Sequence, residues 1–311
     1  MGKSIEVSMK KPDFFIVGAP KCGTTALHEY LKQHPDIFMP EEKEPHYFGS
    51  DLKFNRPRIT KGKYLSYFQK ARDEERIGEA SVGYLCSKRA AYEIKEFSSS
   101  ANIIIMLRNP VEMIFSLHSQ LLYTGNEDIT DFETALNAES KRRCGKCLPK
   151  YRVAPLEYLY YRDIAKYSKQ VKRYFDVFGR ENVHIIIFDD FKYNTAKVYK
   201  DTLHFLNVDD GFLVDFKIIN PYKYSRSKII SNFLNNIINL PPLVKRLGKI
   251  LVPHTSGRKR LLQGLRQWNT KYDTKPFMKV ELRKRLQREF MPDIEHLSKL
   301  LGYDLIHWIK K

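Results

Sequence analysis

The stretch Phe14-Phe15-Ile16-Val17-Gly18-Ala19-Pro20-Lys21-Cys22-Gly23-Thr24-Thr25-Ala26-Leu27 decides the fold. Phe14 to Val17 is a short apolar run, the pattern of a strand buried on both faces. Gly18 and Gly23 bound a tight turn, and Leu27, Tyr30 and Leu31 carry helical spacing after it. Strand, loop and helix start in that order aim backbone N–H groups and the positive end of a helix dipole at one point. Such a point suits an anion. The common nucleoside-triphosphate loop reads G-x-x-x-x-G-K-[ST]. Here Thr24 follows the second glycine, and the lysine, Lys21, lies inside the loop. That placement argues against ordinary ATP or GTP chemistry.

Outward from this stretch, strands and helices alternate. Arg76 to Ser81 reads as a short strand, and Ile103 to Leu107 as a central, β-branched one. Asn109 then Pro110 is a helix start, with Asn as cap and Pro at the first helical position; this helix is expected to reach Tyr123. Gly125 to Asp131 breaks it, and Phe132 to Glu139 resumes a short helix. Leu156 to Phe178 is expected to be one helix burying Leu159, Ile164, Tyr167, Val171, Tyr174 and Phe178, capped by Gly179. Val183 to Phe188 reads as a third central strand, and Ala196 to Leu206 as another helix. Phe277 to Leu301 reads as a long final helix interrupted near Met291-Pro292. The fold class is therefore α/β: a P-loop-type parallel sheet flanked by helices, with a basic helical C-terminal region. Parallel sheets bind ligands at the carboxyl ends of their strands, and Lys21 and Arg108 each follow one.

The chain has 311 residues and a net charge of +18. Between Phe216 and Phe290 there are 18 Lys/Arg and only three acids (Asp273, Glu281, Glu289), so that segment holds +15 of the total. A field of that sign attracts an anionic partner; a solvated basic face without a partner is the competing reading. The apolar stripe Ile229, Ile230, Phe233, Leu234, Ile237 and Ile238 within it fits either a packed helical subdomain or a membrane-surface element. No run of about 18 apolar residues suggests a membrane span. Met1 to Lys11 is polar and lacks a leader's apolar core. With four cysteines in all, no disulfide framework is expected, so the location expected is cytoplasmic, with peripheral contact to an anionic membrane surface admitted. Cys144-Gly145-Lys146-Cys147 has no second ligand pair for zinc and no preceding strand for a redox motif, and is read as coincidence.

Lys21-Cys22-Gly23-Thr24-Thr25 resembles the phosphosulfate-binding loop of sulfotransferases, the enzymes that use 3′-phosphoadenosine-5′-phosphosulfate (PAPS). Glu42-Lys43-Glu44-Pro45-His46-Tyr47-Phe48 is similar to the acceptor-side motif of the heparan-sulfate branch and its bacterial relatives. Ile103 to Pro110, with Ser116 eight residues after Arg108, resembles the family's 3′-phosphate site. Gly302-Tyr303-Asp304 and Trp308 extend a looser match to the end. The resemblance implies a single sulfotransferase domain over 1–311, with a nucleotide-binding α/β core at 12–215 and a basic, mainly helical acceptor or cover region at 216–311. It implies PAPS as co-substrate, 3′,5′-ADP (PAP) as product, and no metal.

Its residue roles follow the same matches. The backbone of Lys21, Cys22, Gly23, Thr24 and Thr25 with the threonine hydroxyls would cradle the 5′-phosphosulfate, while Lys21 neutralises charge on the leaving oxygen. Glu44 matches the family's catalytic carboxylate, and burial in a cleft is expected to raise its pKa; His46 is the rival base. In an extended segment the two would face the same side. Arg108 and Ser116 would hold the 3′-phosphate, although Ser116 lies nearly two turns into the helix, so a backbone bend is expected. Arg226, with Ser227, is a further nucleotide candidate. The family's Lys after the Glu of a Glu-Lys-Thr-Pro segment is replaced here by Ala80, and its Lys-Gly-Arg loop is missing. The acceptor expected is a hydroxyl or amine of an anionic or lipid-linked glycan, with no specific nucleic acid. An NTPase using Asp189 as its metal carboxylate, and a basic nucleic-acid binder, are the competing functions.

Overall fold

A computed structural model of the chain describes residues 10–150, 152–217, 223–225, 264–265, 268, 270–272 and 277–310. Five strands form the central sheet: β1 (Phe14–Gly18), β2 (Ile37–Phe38), β3 (Arg76–Ala80), β4 (Asn102–Leu107) and β5 (Val183–Ile187). Their spatial order is β2-β3-β1-β4-β5, and every pairing is parallel. Phe14 pairs with Gly78 on one side and Asn102 on the other, which makes β1 the middle strand. All five of its residues are buried, as the continuous apolar run requires.

Helices α1 (Thr24–Leu31), α2 (Lys61–Ser66), α3 (Ala90–Phe97) and α4 (Pro110–Tyr123) follow β1, β2, β3 and β4 in turn. Asn109 caps α4 as expected, its side-chain oxygen accepting from Val111 N at 3.0 Å. Beyond α4, a fully buried ion pair fixes the chain. Arg142 donates to both oxygens of Glu127 (2.7 and 2.8 Å), and the Tyr161 hydroxyl donates to one of them at 2.8 Å. Two short strands, β6 (Lys223–Ser225) and β7 (Thr270–Tyr272), pair antiparallel.

Two expectations are corrected. Leu156 to Phe178 is not one helix but a 3₁₀ turn (Leu156–Leu159), a short helix (Tyr161–Ile164) and a longer one (Ser168–Phe178). The expected apolar residues are all buried, yet the five-residue step from Leu159 to Ile164 does not fit one helical face. The helix Val280–Leu301 runs through Pro292 without interruption. Leu282, Leu286, Phe290, Ile294 and Leu297 form one buried stripe on both sides of the proline, and packing of that stripe carries the helix past the missing N–H. The stripe around Ile229 to Ile238, together with Arg226 and Ser227, lies outside the described residues.

Candidate functional site

Because the sheet is parallel, the carboxyl ends of β1, β3, β4 and β5 share one edge, and the expected site residues gather there. The loop after β1 turns sharply: Lys21 has φ 61° and Gly23 has φ 89°, both left-handed. A Cβ on Gly23 would also lie a tight 3.2 Å from the rings of Phe188 and Phe191, so the left-handed backbone and the contact both favour glycine. Helix α1 begins at Thr24 with no side-chain cap and no acid in its first turn. Its leading N–H groups are therefore left for a ligand, and an anion fits them. Cys22 is fully buried, donates to Pro20 O at 3.3 Å, and has its thiol pushed up to about 12 by burial. Its side chain anchors the loop, leaving only its main chain to meet a ligand.

Lys21 Nζ donates to Gln120 Oε1 at 2.8 Å. Burial, then the neighbouring charge of Arg108, lowers its ammonium to about 8; Glu44 and Lys43 also act on it. Arg108, the first residue past β4, donates from Nη1 to Lys21 O at 3.2 Å and lies over the Phe188 ring at 4.7 Å. Glu112 stands 3.9 Å from Arg108 and 2.6 Å from Arg283 of the last long helix. Ser116 is the next residue along the same face of α4: Glu112, Ser116 and Gln120 are spaced four apart, the first beside Arg108 and the last bonded to Lys21. The helix is continuous, so the expected bend is not needed to bring Ser116 to this edge.

The Glu44–Phe48 segment is fixed against the end of β3. Glu44 N donates to Ala80 O at 2.9 Å and His46 N to Ser81 Oγ at 3.2 Å. The Tyr84 hydroxyl accepts from Tyr47 N and Phe48 N (3.0 and 3.3 Å) and donates to Glu79 Oε2 at 3.0 Å. The segment is not a plain extended strand, because Glu44 and His46 both have positive φ (59° and 51°). Their side chains nevertheless meet, with His46 Nε2 3.4 Å from Glu44 Oε2, while Lys43 Nζ donates to Glu44 Oε1 at 3.0 Å. Burial pushes the Glu44 carboxyl up, but Lys43 and His46 outweigh it and hold the group well below the usual carboxylate range. This is opposite to the expected direction. The Glu44 side chain is 37% exposed and His46 only 8%, so Glu44 is the more accessible of the two.

Several contributors escaped the sequence reading. Glu79 is fully buried and raised to about 7 by burial, with Tyr64 and Tyr84 donating to it. Gln120 could have been found from its spacing to Ser116. Phe188, beneath Arg108, carried no such mark. Asp189, the competing metal carboxylate, is engaged by the C-terminal residues: Trp308 Nε1 donates to it at 3.2 Å and His307 stands 3.5 Å away. Arg226 lies outside the described residues. Cys144 and Cys147 are free and exposed.

Residues 11–216 match the family described as "Sulfotransferase domain". Carbohydrate sulfotransferase 15 of Homo sapiens is 25% identical over 250 residues, covering 63% of this chain and 44% of that protein. Heparan sulfate glucosamine 3-O-sulfotransferase 3A1 of Homo sapiens is 30% identical over 129 residues, covering 42% of this chain and 30% of that one. The chain thus spans less than half the length of these two relatives. A solved sulfotransferase from Alicyclobacillus acidocaldarius is 30% identical, with a TM-score of 0.71 over 96% of this chain and 99% of that one.

Proposed function

Because the chain belongs to the sulfotransferase family, we propose that it moves the sulfuryl group of PAPS to a hydroxyl of a carbohydrate-type acceptor. The observation that carries this reading is the union of Lys21 and Arg108 through the Lys21 carbonyl, beside an uncapped helix start. These groups fit a nucleotide with phosphates at both ends. The N–H groups of Thr24 and Thr25 would hold the 5′ end, and Arg108 with Ser116 the 3′-phosphate. PAPS brings the activated sulfuryl group and a phosphate leaving group. Lys21, positioned by Gln120, stabilises negative charge where the bridging oxygen departs. Glu44 accepts the proton of the attacking hydroxyl at one carboxylate oxygen, while Lys43 and His46 fix its orientation. A base held this low takes the proton only as the hydroxyl's bond to sulfur forms.

The acceptor is proposed to be anionic. The +15 segment from Phe216 to Phe290 exceeds what one nucleotide needs, and the relatives' names point to carbohydrate and heparan sulfate. The test is a transfer screen from radiolabelled PAPS over neutral and acidic saccharides, lipids and phenols. Labelling of an acidic saccharide, with a KM that rises with salt, is expected. Transfer only to a small neutral phenol, insensitive to salt, would reject the proposed acceptor class.

A further inference from the structure

Beneath the Glu44–Phe48 segment, three buried polar atoms find no partner among the described residues: Glu79 Oε1, His46 Nδ1 and Tyr158 Oη, of which the last two concern the ring beside Glu44. Both residues border the space next to Gly83. A Cβ on that glycine would lie 3.2 Å from Tyr158 Oη, 3.3 Å from Leu52 Cδ1 and 3.5 Å from His46 Cε1. Tyr158 Oη and the His46 ring thus converge on one crowded point beside Gly83. Buried polar atoms of neighbouring side chains that lack a protein partner are commonly joined by a shared water.

The His46 ring has little freedom. Its backbone is left-handed and tied to Ser81, and the ring rests against Phe54 at 5.1 Å between centroids. Nε2 faces the Glu44 carboxylate at 3.4 Å and so must carry the proton, because a bare lone pair there would face negative charge. Nδ1 is then an acceptor and needs a donor, which the phenol of Tyr158 provides. The charge of Glu44 is felt at Tyr158, which places the three groups in one neighbourhood.

We propose that Tyr158 is a positioning residue: its hydroxyl donates through one water to His46 Nδ1, keeping the Nε2 proton directed at Glu44. With Lys43 on Oε1 and His46 on Oε2, the carboxylate of Glu44 is held in one orientation for the incoming hydroxyl. This role rests on the sulfotransferase reading, but the tautomer it requires can be measured without substrate.

The test is ¹⁵N NMR of the labelled histidines of the full chain at pH 8, with H46Q identifying the His46 signals, alongside kcat and PAP affinity. In the wild type, Nδ1 should be unprotonated and Nε2 protonated. In Tyr158→Phe the two tautomers should mix, and kcat should fall by about 10-fold with PAP affinity unchanged. Gly83→Ala crowds the point where Tyr158 and His46 converge while keeping both side chains, and should do the same; it decides the matter if Tyr158→Phe loses PAP binding. A wild-type His46 protonated on Nδ1, or a Tyr158→Phe protein with unchanged tautomer or unchanged kcat, would overturn the proposal. Failure to find transfer to any acceptor would count against the sulfotransferase reading instead, and the tautomer would then decide this inference alone.

Discussion

The guanidinium of Arg108 donates to the main-chain carbonyl of Lys21 at 3.2 Å, across 87 residues of sequence. The residue that leaves β4 thereby fixes the loop that leaves β1, so the loops of two neighbouring parallel strands are tied together. Arg108 is fixed in turn by the ring of Phe188 at 4.7 Å. A flat, forked cation meets the ring and the carbonyl at once, which a lysine's point charge cannot do.

Arg108→Lys should therefore weaken PAP binding nearly as much as Arg108→Ala, by about 10- to 100-fold, since lost charge-assisted hydrogen bonds cost roughly 1.5–3 kcal/mol. Calorimetric titration with PAP measures it. Wild-type affinity in Arg108→Lys would show that only charge matters there.

Lys21 should trade stability for function. Its folded-state value of about 8 lies below the ordinary 10.5, so carrying its charge in the fold costs stability. The cost is complete below pH 8 and fades as pH rises toward 10.5. Lys21→Met should lose turnover, yet melt above the wild type at pH 7, with the gap narrowing at pH 10. Calorimetric melting at both pH values checks this, and a lower Tm for Lys21→Met at pH 7 would contradict it.

Glu79 gives a complementary pH dependence. Burial raises it from 4.5 to about 7, so its cost to the fold is absent below pH 4.5 and complete above 7. Glu79→Gln still accepts from Tyr64 and Tyr84, and should melt above the wild type at pH 8.5 but close to it at pH 5. A uniform loss of stability at both pH values would show that the carboxyl is needed as an ion.

Glu44→Gln should lower kcat by about 10²–10⁴-fold with PAP affinity unchanged. Because Lys43 and His46 hold the Glu44 carboxyl low, protonation of Glu44 should take no activity away as pH falls from 7 to 5. Full turnover in Glu44→Gln, with His46→Ala inactive, would move the base to His46.

What the sequence disclosed and what it hid have physical reasons. Phe14 to Val17 and Ile103 to Leu107 are buried on both faces, so composition alone marks them, and the Asn109 cap announces its helix through side-chain chemistry. Lys21 and Arg108 could be placed together because each lies within three residues of the end of such a strand. Propensity could not show that Pro292 is carried by a continuous buried stripe, since tertiary packing decides it. The direction of the Glu44 shift was hidden for a similar reason. Burial is opposed by the Lys43 ammonium and the His46 N–H, and only geometry tells which prevails. Tyr158 sits in no motif, and Glu79 stands in the sequence only as the residue before Ala80; each matters through what it touches.

The central claim is that one site, joined by Lys21 and Arg108, is built for a nucleotide phosphorylated at both 3′ and 5′ positions. Calorimetric titration of the wild-type chain with PAP and with ATP, each with and without magnesium, tests it most directly. PAP should bind without metal and much more tightly than ATP, and Arg108→Ala should remove that preference. Tight binding of ATP together with no binding of PAP would contradict the account.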